Sequence, residues 1–287
     1  MPQFAGVYVA SITPMTSQQE VDVPGLRQHI NWLIESGVDG IAPTGSCGEY
    51  ATLKDEEREL VIRTVAEVCH GRVPLVVGVA APSTAQVVRW TELAKTLGAQ
   101  GVMALPPVNY RPTWEEVYAH YAAIDAVGLP IIVYNNPYDT AVDLPPARLH
   151  ELEALKHIQA VKEFSGDVRR ITEIQEQTHL EVIAGTDDLL VESMLSGASG
   201  WIAGMANIVP EISLRLYRLV QNHRHPEAWE LYRKLLPLLR YDSTPRLVQV
   251  IKYGLEYIGR PVGPTRPPRL ALSLDDQKTV AGVLSSL

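Results

Sequence analysis

Cysteine is scarce: there are two in 287 residues, Cys47 and Cys69. That excludes a disulfide framework and a four-cysteine zinc site. Positive charge is short as well. Lys and Arg total 25 against 33 Asp and Glu, a formal net charge of −8, so no cationic field is available to neutralise phosphates. Nucleic acid is therefore excluded as a partner. Nowhere does an apolar run approach the roughly 20 residues that a membrane helix needs, and no membrane span is expected. The start, Met1-Pro2-Gln3-Phe4-Ala5-Gly6, has no basic stretch leading into an apolar one. A reduced, cytoplasmic protein is the expectation. Neither Cys-x-x-Cys nor His-Glu-x-x-His occurs, and His223-Arg224-His225 reads as a solvated connection before Pro226, so no metal or other cofactor is expected.

What the chain does have is alternation. Short apolar runs rich in Val, Ile and Ala are each followed by a longer amphipathic stretch, the pattern of βαβ units. The spacing predicts strands over 6–13, 40–44, 75–79, 101–105, 131–135, 158–164, 181–185 and 201–205. Helices are predicted over 23–35, 54–69, 84–97, 113–126, 145–152, 167–177, 189–195 and 210–219. Asp22 and Ser83 are placed to cap the first and third of these, and Gly37 and Gly98 to end them. Eight strands that are mostly apolar on both faces fit a closed (β/α)₈ TIM barrel better than an open sheet. The barrel takes residues 1–224. From 225 to 287 the pattern is helical, over 228–239, 247–258 and 274–284, and with no Gly- or Ser-rich linker it reads as an extension packed on the barrel.

In such a barrel the chemistry sits at the carboxyl ends of the strands. Lys162 stands out there, inside Ile158-Gln159-Ala160-Val161-Lys162-Glu163-Phe164, while Lys54, Lys95, Lys156, Lys234, Lys252 and Lys278 fall on helix faces or in loops. Desolvation lowers a lysine's pKa, and a neutral amine condenses with a ketone to form a Schiff base. The competing reading is a strand-end lysine that snorkels out or pairs with Glu163. Tyr134, in Ile131-Ile132-Val133-Tyr134-Asn135-Asn136-Pro137, lies at the same depth on the adjoining strand, within reach to relay protons to an imine. By itself it also reads as a core aromatic. Gly45-Ser46-Cys47-Gly48-Glu49, after the second strand, is a turn whose backbone N–H groups can hold one anion.

Taken together, Thr13-Pro14-Met15, Gly45-Ser46-Cys47-Gly48-Glu49, Tyr134-Asn135-Asn136-Pro137, Val161-Lys162-Glu163, Gly185-Thr186-Asp187-Asp188 and Gly200-Trp201-Ile202 resemble the dihydrodipicolinate synthase and N-acetylneuraminate lyase family of class I aldolases. The resemblance covers essentially the whole chain. It implies that Lys162 forms the Schiff base and that Tyr134 and Ser46 share the catalytic site. Ser46 and Cys47 would hold the carboxylate of a pyruvate-like 2-oxo acid, Ile202 would place a carbonyl near the imine, and Gly48, Gly185, Asn109, Tyr110 and Asp139 complete the substrate-binding set. It also implies a homo-oligomer, a tetramer of paired dimers or a dimer, with the loop 107–112 near the tight interface.

The chain departs from the family pattern at three places. Cys47 stands where many relatives have threonine, which removes a hydroxyl donor and leaves a weak thiol. Asn109 stands where the synthases carry a tyrosine that reaches into the partner's site, unless Tyr110 takes that part. Asp139 stands where they carry an arginine for the second substrate's carboxylate, so a second carboxylate is expected to be turned away. The reading is a lysine-imine lyase that cleaves a 2-keto-3-deoxy acid by retro-aldol chemistry. Its alternatives are dehydration or deamination of a hydroxylated 2-oxo acid or hydroxy-pyrroline carboxylate, 4-hydroxy-tetrahydrodipicolinate synthesis, and a non-catalytic 2-oxo acid sensor. Retention of both Lys162 and Tyr134 speaks against the sensor, because a binder needs no amine nucleophile.

Overall fold

The computed structural model describes residues 2–287. Eight parallel strands alternate with helices: β1 Gly6–Val9, β2 Gly40–Ile41, β3 Val76–Gly78, β4 Gly101–Ala104, β5 Ile131–Asn135, β6 Ile158–Glu163, β7 Glu181–Ala184 and β8 Gly200–Ala203. Their order around the sheet is β2-β1-β8-β7-β6-β5-β4-β3, and a parallel bridge from Ile41 to Leu75 joins the two ends. The sheet is a (β/α)₈ barrel. Almost every strand residue is buried, because one face fills the barrel and the other lies under the helices. That two-sided burial is why the strands read as continuous apolar runs.

The helix ends follow the local chemistry. Asp22 accepts the N–H of Gly25 at 3.0 Å, and the helix Val23–Glu35 closes before Gly37 at φ 88°. Ser83 caps Thr84–Thr96, which ends before Gly98 at φ 76°. Only glycine adopts such backbone without strain.

Several strands are shorter than expected, and two have a visible cause. β2 spans two residues rather than five, because Thr44 turns left-handed at φ 56° to start the loop that follows. Gly78 permits this, since a Cβ there would lie 2.7 Å from the Thr44 carbonyl oxygen. β1 ends at Val9, after which the Asn207 side chain stands in for a neighbouring strand. Its Oδ1 accepts from Ile12 N at 3.2 Å and its Nδ2 donates to the Ala10 carbonyl at 2.8 Å.

Beyond the barrel come helices His225–Leu239, Leu247–Tyr257 and Leu274–Ser285. Their connections fold back over the strand ends rather than into solvent. Arg240–Ser243 forms a 3₁₀ turn that buries Asp242. The return segment from Arg260 to Arg269 runs over the surface and is tied to the barrel: Met15 N donates to the Val262 carbonyl at 2.9 Å, and Arg266 pairs with Glu57 at 2.6 Å. A run of prolines with arginines resembles a solvated loop in sequence, but here the guanidinium of Arg266 is used to staple it down.

Candidate active site

The strand ends and the C-terminal extension enclose a cavity of about 620 Å³. On its floor Tyr134 of β5 stands directly beside Lys162 of β6 in the strand register. Both are buried, at 6% and 5% exposure, and Lys162 Nζ lies 4.3 Å from the centre of the Tyr134 ring. Phe164 packs edge-on against the same ring with centroids 6.2 Å apart. Asn136 orients the phenol, donating from Nδ2 to the Tyr134 hydroxyl at 3.1 Å and to Asp139 at 2.9 Å.

Lys162 is not the chain's only buried lysine. Lys252, expected on a helix face, is also 5% exposed. The two differ in their partners. Lys252 is neutralised by Glu49 at 2.8 Å and donates to the Pro264 carbonyl at 2.8 Å. Lys162 forms no ion pair and no hydrogen bond among the described residues, Glu163 included. Glu163 instead bonds Asn135 Nδ2 at 3.0 Å and Ser165 N. Burial pushes the Lys162 ammonium below the ordinary lysine range, and the nearby carboxylates, Asp242 foremost, only partly oppose this. Burial also pushes the Tyr134 phenol well above its ordinary value. The pair is therefore a readily neutral amine beside a protonated phenol.

Gly45, Ser46 and Cys47 form another wall of the cavity. The backbone N–H groups of Ser46, Cys47 and Gly48 have no acceptor among the described residues, which leaves three donors free for an anion at this turn. Cys47 contributes little charge of its own: burial pushes its thiol up to about 12, so it stays protonated.

Other expected site residues are placed differently. Asn109 and Tyr110 do not line the cavity. Asn109 adopts φ 78° and turns its loop outward, leaving Tyr110 52% exposed beside a separate, smaller hollow. Gly48, Gly185 and Ile202 are also absent from the cavity wall. The two glycines act through space: a Cβ on Gly185 would lie 2.6 Å from the Glu163 carbonyl oxygen and 3.1 Å from Lys162 Cγ, and one on Gly48 would press on Thr44 and Ser11. Asp139 does line the cavity but is exposed at its mouth. Like charges about 4 Å apart repel by about 1 kcal/mol in water, against about 4 kcal/mol at an effective dielectric near 20. At so exposed a position the smaller figure applies to a second carboxylate.

Among the cavity residues that sequence reasoning missed are Asp242 and Arg269, both from the C-terminal extension. Asp187, part of the Gly185-Thr186-Asp187-Asp188 motif, turns inward, fully buried, and accepts from Trp201 Nε1 at 2.8 Å, from Met205 N at 2.7 Å and from Gly204 N at 3.1 Å. Burial pushes it up to about 6 despite these bonds. Asp242 accepts the Asp187 N–H at 3.0 Å and is itself raised, by burial and by Asp187. The one available signal was the polar break Asp242-Ser243-Thr244-Pro245 between two helical patterns. The His223 and His225 rings are 5.7 Å apart, and no group of three or more His, Cys, Asp or Glu among the described residues is arranged to hold a metal ion.

A model of the dihydrodipicolinate synthetase family matches residues 3–287. The chain belongs to that family. It is 34% identical over 286 residues to the 4-hydroxy-tetrahydrodipicolinate synthase of Methanocaldococcus jannaschii, covering 99% of each chain. A crystal structure of dihydrodipicolinate synthase superposes with a TM-score of 0.93 at 34% identity, over 99% of both chains. A prophage protein of the family from E. coli K12, solved in complex with pyruvate, matches at 27% identity and TM-score 0.92 over 99% of this chain and 98% of that one. The dihydrodipicolinate synthetase family consists of class I aldolase-type lyases that work through a lysine Schiff base, and this chain is an enzyme of that kind.

Proposed function

We propose that Lys162 condenses with the carbonyl of a pyruvate-related 2-oxo acid, and that the enzyme cleaves a 2-keto-3-deoxy acid by a retro-aldol reaction. The observation that carries this reading is the contrast between two buried lysines. Lys252 is held as a cation by Glu49, whereas Lys162 faces the cavity without a bonded partner. An unpaired buried amine is a nucleophile at a pH where an ordinary lysine is not.

The steps follow from the neighbours. The free N–H groups of Ser46 and Cys47, with the Ser46 hydroxyl, hold the substrate carboxylate. The amine adds to C2, and the Tyr134 phenol, kept protonated by burial, donates to the departing hydroxyl as water leaves. The resulting iminium is the electron sink. The Tyr134 phenolate, stabilised beside that positive charge, then takes the proton from the C4 hydroxyl. The C3–C4 bond breaks into an aldehyde and an enamine. Protonation of the enamine at C3 and hydrolysis release pyruvate and restore the amine.

The remaining cavity supports a hydroxylated substrate. Asp188, Ser243 and Thr244 line it, and carboxylates and hydroxyls accept hydrogen bonds from sugar hydroxyls. The volume of about 620 Å³ exceeds what a three-carbon acid fills. A second reading, addition of pyruvate to aspartate semialdehyde, is favoured by the names of the relatives, which are 4-hydroxy-tetrahydrodipicolinate synthases. Because Asp242 and Arg269 come from residues 225–287, we treat that extension as part of the working site.

The test is borohydride trapping with pyruvate, read by intact mass and peptide mapping. A reduced three-carbon adduct on Lys162 is expected, and labelling elsewhere or not at all would overturn the mechanism. Pyruvate release from a panel of 2-keto-3-deoxy acids, set against a coupled reductase assay with aspartate semialdehyde, separates the two reactions.

A further inference from the structure

The turn that ends at Glu49 is bracketed by two residues with left-handed backbone, Thr44 at φ 56° and Glu49 at φ 56°. A residue with a Cβ keeps that conformation only where its surroundings over-determine it. At Thr44 the barrel does so, through the bond from Thr44 Oγ1 to the Gly78 carbonyl at 2.8 Å. At Glu49 the turn itself supplies one bond, from Glu49 N to the Ser46 carbonyl at 3.1 Å. The rest comes from the C-terminal extension. Glu49 is 1% exposed and does not line the cavity. Lys252 of the helix Leu247–Tyr257 pairs with its Oε1 at 2.8 Å, Arg266 N donates to its Oε2 at 3.0 Å, and Arg269 Nη1 stands 3.7 Å from Oε2. Lys252 is fixed in turn by the Pro264 carbonyl at 2.8 Å. A buried ion pair adds little stability, because desolvation offsets the attraction. What this one supplies is a fixed place for the last residue of the turn.

We propose that Glu49 is a positioning residue for substrate recognition: clamped by Lys252 and by the backbone of Arg266, it holds the turn in the shape that aims the Ser46 and Cys47 N–H groups at one point, and so sets the preference for a 2-oxo acid over a ketone that lacks the carboxylate. The proposal rests on the imine reading of Lys162 and on this turn as the seat of the substrate carboxylate. Backbone N–H groups bind an anion only while they converge on it. Cys47 makes that demand stricter, since a thiol is a weak donor and the amides carry more of the binding than they would beside a hydroxyl. Imine formation at Lys162 does not pass through Glu49. A ketone without a carboxylate is therefore indifferent to the clamp.

Borohydride trapping of Lys162 with pyruvate and with acetone, which has the same three carbons and no carboxylate, tests this. The native enzyme should be half-saturated by pyruvate at a concentration about tenfold or more below that for acetone, the range expected of a charge-assisted hydrogen bond. The double variant Glu49→Leu/Lys252→Met removes both charges together, so net charge is unchanged and no buried ion is stranded. It should raise the half-saturating pyruvate concentration by about tenfold and leave that of acetone as in the native enzyme, which also reports an intact fold. Glu49→Asp keeps the charge but draws the carboxylate back from Lys252, and should shift pyruvate in the same direction. Glu49→Gln keeps an acceptor at full reach and should retain the preference. A loss equal for pyruvate and acetone, a preference that survives both clamp variants, or unfolding of both would overturn the proposal, the first and last by showing that the pair serves the fold alone. Loss of the preference in Glu49→Gln would also overturn it, since charge and not shape would then be what matters. Two other results strike the underlying reading: a native enzyme that does not prefer pyruvate to acetone removes the turn as the carboxylate's seat, and absence of any adduct on Lys162 removes the imine.

Discussion

Replacing Tyr134 by phenylalanine removes one oxygen from the cavity floor and little else. The ring keeps its edge-on contact with Phe164 at 6.2 Å and its place 4.3 Å from Lys162 Nζ. Asn136 loses one acceptor but retains Asp139 at 2.9 Å, so the stability cost is that of a single hydrogen bond, about 1 kcal/mol. The chemical cost is larger. Loss of a positioned general acid-base group slows turnover by roughly 10²–10⁴-fold, equivalent to about 2.7–5.5 kcal/mol of barrier. The two effects separate experimentally. Thermal unfolding of Tyr134→Phe should shift by a few degrees at most, while kcat for pyruvate release falls by at least two orders of magnitude. Rapid-quench trapping with pyruvate should show slowed imine formation, because the carbinolamine hydroxyl then leaves without its proton donor. A variant that retains more than about a tenth of native turnover, or one whose loss tracks unfolding, would refute the assignment of Tyr134 as the proton carrier.

Four further outcomes are expected. Lys162→Ala should abolish both turnover and the borohydride adduct while remaining folded, since no ion pair or hydrogen bond of Nζ is lost; a residual adduct mapped to another lysine would shift the chemistry elsewhere. Asp242→Asn should move the acid limb of the imine-forming rate to lower pH. The sign follows from charge: Asp242 is the leading neighbour favouring the Lys162 ammonium, so its neutral isostere makes the amine easier to free, and a limb moved to higher pH would contradict this. In sedimentation at working concentration the protein should be a homo-oligomer, with a tetramer expected, and Asn109→Ala should reduce turnover only modestly because Asn109 lies off the cavity wall; a monomer, or a loss equal to that of Tyr134→Phe, would count against it.

Local chemistry explains which parts of this architecture could be read from sequence. β5 and β6 are continuous apolar runs buried on both faces, so their position and the pairing of Tyr134 with Lys162 follow from counting along adjacent strands. β2 resisted the same treatment because its end is fixed by a left-handed Thr44 packed on Gly78, a contact between segments 34 residues apart. Nothing within Gly40-Ile41-Ala42-Pro43-Thr44 marks it. The same distinction divides the lysines. An isolated charge in an apolar strand announces desolvation, whereas Lys252 occupies a helix whose buried face becomes known only once Glu49 is seen opposite it.

The cavity floor and the cavity wall therefore carry different kinds of information. Lys162, Tyr134 and the Ser46–Gly48 turn sit at strand ends, so counting along the strands locates them. Asp242 and Arg269 reach the cavity from a 3₁₀ turn and a proline-rich return segment, neither of which has a periodicity to betray which way it faces. Asp242 is the leading carboxylate that opposes the effect of burial on Lys162, and Arg269 lies 3.7 Å from Glu49 at the edge of the Gly45–Glu49 turn. If imine chemistry belongs to the barrel and substrate choice to the extension, exchanging residues 225–287 between relatives should transfer preference among 2-oxo acids while leaving pyruvate trapping at Lys162 intact. A chimera that trapped pyruvate but kept the preference of the barrel donor would place specificity within the barrel and refute that division.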